Sequence, residues 1–188
     1  MKKQTSTGTV RIIAGEWRSR KLPVADVPGL RPTTDRLRET LFNWLQHSVI
    51  EAHCLDLFAG SGALGFEAAS RGAKKVTMIE RDRKVSQSLQ QSVELLKTDK
   101  VEVIQADAMV WLEKSDQVFD LVFLDPPFDQ NLGSKALDKL INSSGIKSGT
   151  LIYLEEEKQA TEIIIPKKLE CIKQGKAGHV RYSLLKVS

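Results

Sequence analysis

Cysteine is scarce in this 188-residue sequence: Cys54 and Cys171 are its only two. They form no metal-spacing motif, and His47, His53 and His179 make no cluster with them, so no metal is expected. A reduced, cytoplasmic setting is the expectation that follows. Long apolar runs are missing too; none approaches the ~20 residues needed to span a membrane. The opening Met1-Lys2-Lys3-Gln4-Thr5-Ser6 is polar and lacks the core of a signal peptide. Internal repeats are absent, and nothing marks a second domain. The expectation is one domain over residues 1–188, with residues 1–30 as a basic N-terminal arm.

What is present is ordinary in bulk and uneven in placement. Hydrophobic residues make up 41% and charged residues 28%, enough for a sizeable core. The net charge of +4 is an N-terminal property. Residues 1–40 hold nine Lys/Arg against four acids, and the remainder holds nineteen against twenty. Such asymmetry points to a polyanion, most often nucleic acid. Thr9–Ala14 and Trp17–Leu22 flank Gly15-Glu16 and read as a β-hairpin. Arg11, Arg18, Arg20 and Lys21 on that hairpin are the candidate phosphate contacts, with Arg18 and Arg20 expected on one strand face. A solvated, solubilising surface is the plainer alternative. Next, Arg31-Pro32-Thr33-Thr34-Asp35 starts a helix with a threonine N-cap, followed by Leu37, Leu41, Trp44 and Leu45 on one face. Thr33, Thr34 and Arg36 at its start are placed to touch a ligand.

The chain is organised around residues 54–72. An apolar run (Cys54, Leu55, Leu57, Phe58) reads as a buried strand, then come Gly60, Gly62 and Gly65, then a helix closed by Gly72. Strand, glycine turn and helix make a nucleotide cradle, because glycine permits sharp turns and close approach of a ligand. The spacing Gly60-x-Gly62-x-x-Gly65 also fits the dinucleotide fingerprint. Asp56, at the strand's end, has the wrong sign for a pyrophosphate and suits a cationic ligand such as S-adenosylmethionine. A tight turn without a ligand is the remaining alternative.

Beyond it, strands and helices alternate, the pattern of a parallel, doubly wound sheet. Strands are expected at His53–Phe58, Lys75–Ile79, Val101–Gln105, Phe119–Leu124 and Thr150–Leu154. Helices are expected at Ala63–Arg71, Asp82–Lys97, Met109–Lys114 and Lys135–Asn142. Leu169–Gln174 and Val180–Val187, flanking Gly175-Lys176-Ala177-Gly178, read as an antiparallel pair closing one edge. Ligands bind such sheets at the carboxyl ends of the strands, where Asp56, Glu80, Asp107 and Asp125 all fall. Phe58 and Ala59 in the glycine loop, Glu80 with Arg81, and Asp107 with Ala108 complete the expected cofactor shell. Glu80 is placed to grip ribose hydroxyls, and Asp107-Ala108 to meet the adenine amino group.

Asp125-Pro126-Pro127-Phe128 is the sharpest signal. Two prolines stop the strand and stiffen the loop. Asp125 and the Pro126 carbonyl offer acceptors, and Phe128 offers a stacking ring for a flat base. Acceptors beside a ring suit an exocyclic amino group, which brings two N–H donors.

Asp56-x-Phe58-x-Gly60-x-Gly62 with Asp125-Pro126-Pro127-Phe128 resembles the S-adenosylmethionine-dependent amino-methyltransferases. More narrowly, three N-terminal blocks resemble the bacterial RsmD-type enzymes. They are Arg11-Ile12-Ile13-Ala14-Gly15, Arg31-Pro32-Thr33-Thr34-Asp35-Arg36 and Arg38-Glu39-Thr40-Leu41-Phe42-Asn43-Trp44-Leu45. Gly175-Lys176-Ala177-Gly178 also fits. The resemblance covers nearly the whole chain and implies a three-layer Rossmann-like α/β fold. A seven-stranded, mostly parallel sheet would carry the antiparallel C-terminal hairpin, with the N-terminal hairpin and helix added. It implies methylation of N2 of guanine 966 in 16S rRNA, free or within the 30S subunit, by a monomer using S-adenosyl-L-methionine. Asp125, Pro126 and Phe128 would be the catalytic residues, and transfer would be direct. An adenine-N6 DNA methyltransferase, a glutamine-N5 protein methyltransferase and a non-catalytic rRNA-binding assembly factor are the rival readings.

Overall fold

The computed structural model describes residues 8–27, 33–127, 132–158 and 163–188. Seven strands form one sheet: β3 (His53–Asp56), β4 (Lys75–Glu80), β5 (Val101–Gln105), β6 (Leu121–Leu124), β7 (Leu151–Glu157), β8 (Leu169–Ala177) and β9 (Val180–Val187). Their order is β5-β4-β3-β6-β7-β9-β8. The first five are mutually parallel, and β9 and β8 are antiparallel to what precedes them. The strand order reverses between β3 and β6, which opens a crevice at their carboxyl ends.

Helices cover both faces because the strands are apolar on both. In β6, Leu121 and Phe123 join Tyr153 of β7 in one core, and Val122 and Leu124 join Ile152 and Leu154 in the other. The first core is covered by α1 (Asp35–Trp44), α2 (Ala63–Ser70) and α3 (Arg83–Leu96). The second is covered by α4 (Ala108–Lys114) and α5 (Leu132–Ile141). The pleat alternates side chains, so Asp125 and Glu155 continue the Phe123 and Tyr153 parity and face the α1 side. On α1, Leu37, Leu41 and Leu45 are buried as expected, while Trp44 is half-buried and Phe42 takes the deeper place. Thr34 caps the helix, accepting from the Leu37 N–H at 3.3 Å.

The N-terminal arm departs from the simple hairpin. Only β1 (Thr9–Arg11) and β2 (Lys21–Pro23) pair, with Val10 opposite Leu22. Residues 12–20 form a folded loop, so Arg18 and Arg20 do not share a strand face. The cause is α2. Both Glu67 oxygens accept from the arm backbone, from Ile13 N–H at 2.8 Å and Ala14 N–H at 3.0 Å. The Ser70 hydroxyl accepts from Trp17 N–H at 3.0 Å and donates to the Ala14 carbonyl at 2.6 Å. Trp17 turns into the core. Gly15 lies against this helix at φ +87°, and a Cβ there would sit 1.9 Å from the Ser70 carbonyl oxygen. No larger residue fits.

Three boundaries move for related reasons. Phe119 donates to the Gly145 carbonyl instead of joining the ladder, so β6 starts at Leu121. Antiparallel pairing carries β7 past Leu154, with Glu155 opposite Tyr182, Glu156 opposite Arg181 and Glu157 opposite Val180. Gly175–Ala177 lie inside β8, which leaves Gly178-His179 as the turn; a Cβ on Gly175 would meet the Tyr182 ring at 2.5 Å. No helix among the described residues is long and apolar enough to cross a membrane.

Candidate cofactor and base site

A cavity of about 720 Å³ opens at the carboxyl ends of the parallel strands. Its walls include Thr33, Thr34, Asp56, Phe58, Ala59, Gly60, Glu80, Arg81, Asp107, Ala108, Asp125 and Pro126. Sequence reasoning had singled out all twelve. Arg36 is exposed on α1 and outside the cavity wall. Arg11, Arg18, Arg20 and Lys21 are exposed on the arm and away from it. Arg11 is paired with Asp35 at 2.8 Å. Phe128 lies outside the described residues.

The glycine loop is held by the strand-end acids themselves. Asp56, 2% exposed, accepts from the Gly65 N–H at 3.0 Å. Glu80 accepts from Gly60 N–H at 3.0 Å through one oxygen and from Asp82 N–H at 2.8 Å through the other. Both carboxylates therefore fix the backbone that forms the cradle. Each Glu80 oxygen keeps a lone pair, so a ligand hydroxyl can still donate to it. Gly62 and Gly65 do not line the cavity. Gly62 starts α2 at φ +75°. Gly65 lets α2 lie against β4, since a Cβ there would stand 2.3 Å from the Met78 methyl. Asp107 caps α4, accepting from Met109 N–H at 2.9 Å and Val110 N–H at 3.1 Å.

At the other end of the cavity, Thr33 Oγ1 donates to Asp125 Oδ2 at 3.3 Å. Glu155 faces the same space and was not foreseen. In sequence it opens Glu155-Glu156-Glu157, just past the strand expected at Thr150–Leu154. Pairing with β9 leaves it 6% exposed, and Tyr153 Oη donates to its Oε2 at 2.9 Å. Its neighbour Glu156 is instead neutralised by Arg181 at 3.1 Å.

Burial raises the proton affinity of all three acids on this wall. Asp56 is pushed from 3.8 up to about 7, chiefly by burial; the Gly65 N–H opposes the shift and the charges of Asp125 and Glu80 add to it. Asp125 is raised by burial against the lowering effect of the Thr33 hydroxyl. Glu155 is raised by burial and then by the Asp125 charge. A wall of crowded carboxyls disfavours a pyrophosphate and favours a cation and N–H donors. It can hold a positively charged cofactor against the glycine loop and an amino-bearing ring against Asp125. Among the described residues no three His, Cys, Asp or Glu side chains are grouped to hold a metal ion.

Comparison with known proteins agrees with this geometry. The family model described as Conserved hypothetical protein 95 matches residues 10–186. The ribosomal RNA small subunit methyltransferase D of Escherichia coli K12 is 45% identical over 180 residues, covering 96% of this chain and 91% of that protein. The protein of the same name from Haemophilus influenzae is 47% identical, covering 94% and 93%. The solved yhhF structure of Escherichia coli superposes with a TM-score of 0.90 at 42% identity, covering 96% of this chain and 98% of that one.

Proposed function

Because the chain belongs to the Conserved hypothetical protein 95 family, that of the small-subunit rRNA methyltransferase D enzymes, we propose that it methylates the exocyclic N2 of guanine 966 in 16S rRNA. Methyl transfer to rRNA with S-adenosyl-L-methionine as cofactor comes with that membership. The position on the base and the nucleotide are the finer reading. The observation that carries it is the buried Asp125 carboxyl, which lines the cavity together with Pro126 beside the carboxylate-tied glycine loop.

The cradle fits the cofactor. Asp56 would complement its positive charge, Glu80 its ribose hydroxyls, and Asp107 with Ala108 its adenine; Phe58, Ala59, Gly60 and Arg81 line the space between. Thr33 and Thr34 close it from α1. When bound, the cofactor supplies an electrophilic methyl on a sulfonium. This chain's residues do the rest. The guanine amino group shares its lone pair with the ring and is a weak nucleophile. Asp125 and the Pro126 carbonyl would accept hydrogen bonds from its two N–H groups and favour a pyramidal nitrogen with the lone pair released; as N2 gains the methyl, one of its protons leaves to the Asp125 carboxylate. Phe128 would hold the ring in line, and orientation of this kind accounts for much of such a barrier. The base must leave its stack to enter.

Residues 1–30 act as an RNA arm of a single methyltransferase domain, with Arg11, Arg18, Arg20 and Lys21 on phosphates. A monomer working on rRNA in a 30S particle, in the cytoplasm, completes the reading. The test is incubation with methyl-labelled S-adenosylmethionine and 30S subunits, naked 16S rRNA or DNA, with the label then located by nuclease digestion. Label on guanine N2, lost in Asp125→Ala while cofactor affinity holds, is the expected result. Label on adenine N6 of DNA, or wild-type turnover in Asp125→Ala, overturns it.

A further inference from the structure

Glu155 has no part in the mechanism above, although it is buried, ionisable and part of the same cavity wall. β6 and β7 are parallel neighbours with Leu124 opposite Leu154. Asp125 follows Leu124 and Glu155 follows Leu154, and the two are near enough for the Asp125 charge to act on Glu155. Tyr153 Oη holds Oε2 of Glu155 at 2.9 Å. No other hydrogen bond engages this carboxyl among the described residues, and Glu155 lines the cavity. Leaving a buried carboxyl half-satisfied is costly unless a ligand completes it.

The two carboxyls offer a pair of acceptors on one cavity wall. Guanine presents two adjacent donors on its Watson–Crick edge, N1–H beside the N2 amino group. Adenine presents an acceptor, N1, beside its amino group. We propose that Glu155 is a specificity-determining residue whose Oε1 accepts the N1–H of the target guanine while Asp125 and Pro126 engage N2. This rests on the guanine-N2 reading and adds to it the reason that adenine is refused. With adenine in place, Oε1 faces a ring lone pair and both acceptors go unpaired. Tyr153 is a positioning residue here, fixing the carboxyl by holding the other oxygen. Incoming N–H donors also favour the charged form that burial opposes.

The test uses 30S particles assembled with ligated 16S rRNA carrying either guanine or 2-aminopurine at the target. 2-Aminopurine keeps the N2 amino group but has a bare N1. Wild-type protein should prefer guanine by about tenfold or more in kcat/KM, the scale set by one charge-assisted hydrogen bond. Glu155→Gln can offer its amide N–H to the bare N1, so it should shrink or invert that ratio. Its affinity for S-adenosylmethionine, read by calorimetry, should stay within about twofold of wild type, since Glu155 lies at the base end of the cavity. A wild-type ratio near one overturns the proposal. So does a Glu155→Gln protein that binds cofactor normally and keeps the wild-type ratio. If the variant loses cofactor binding, the wild-type ratio alone decides. Absence of any label on guanine N2 with the wild-type protein instead sinks the guanine reading itself.

Discussion

Asp56→Asn should stabilise the cofactor-free protein at alkaline pH and do little at acid pH. Asp56 is 2% exposed and accepts one backbone N–H, that of Gly65, at 3.0 Å. An asparagine oxygen can accept the same bond, so the substitution keeps the geometry and removes only the ionisation. Burial raises the carboxyl from 3.8 to about 7. A folded-state value above the unfolded one means that folding binds a proton. Stability from this group is therefore full below about pH 4 and is lost as pH rises through about 7. Between pH 5 and pH 8 wild type should lose about 2–3 kcal/mol that the variant keeps, at 1.36 kcal/mol for each tenfold change in proton affinity. Urea unfolding of both proteins at the two pH values, without cofactor, gives the double difference directly. The other buried acids titrate in both proteins and cancel to first order. A variant whose stability parallels that of wild type from pH 5 to pH 8 would refute a buried, ionisation-strained Asp56.

Three further outcomes are expected. Glu80→Ala should weaken S-adenosylmethionine binding, both by removing the hydroxyl acceptor and by freeing the Gly60 N–H it holds at 3.0 Å; unchanged affinity by calorimetry would remove Glu80 from the site. Gly15→Ala places a Cβ 1.9 Å from the Ser70 carbonyl at φ +87°. It should cost about 2 kcal/mol or more, about 5 °C in Tm, and a wild-type melting curve would contradict the close packing of arm on helix. Arg18→Ala with Arg20→Ala should weaken rRNA binding and flatten its salt slope by roughly one for each lost phosphate contact. Cofactor affinity should not change, and an unaltered slope would make these arginines solubilising only.

The cradle was legible because its chemistry is local. A strand, three glycines and a helix lie within 19 residues, and the strand-end acids follow from the alternation of elements. What escaped was set by partners distant in sequence. Glu155 falls just past the strand expected at Thr150–Leu154, and it is buried only because β9, which begins 25 residues later at Val180, returns antiparallel beside it. The arm reads as a period-2 hairpin until Glu67 and Ser70, more than 50 residues away, take its backbone N–H groups. Gly175 reads as a turn glycine, yet it sits within β8 because the Tyr182 ring lies over it. Asp56 and Glu80 read in the sequence as candidate ligand contacts, not as the ties that hold the glycine loop.

α2 connects the two ends of the molecule's work. One end of this helix meets the cofactor loop through the Gly65 N–H on Asp56, and the other takes the arm through Glu67 and Ser70. Glu67 is fully buried, and besides the two arm amides it pairs with Arg38 at 3.4 Å and Arg71 at 2.7 Å. The arm is thus no detachable module. Trimming it would strip two donors from a carboxylate with no access to water and uncover Trp17's place in the core. A shortened chain should therefore lose order around the glycine loop as well as any RNA contact the arm makes. Replacing the arm would require a substitute for every hydrogen bond between α2 and residues 13–17.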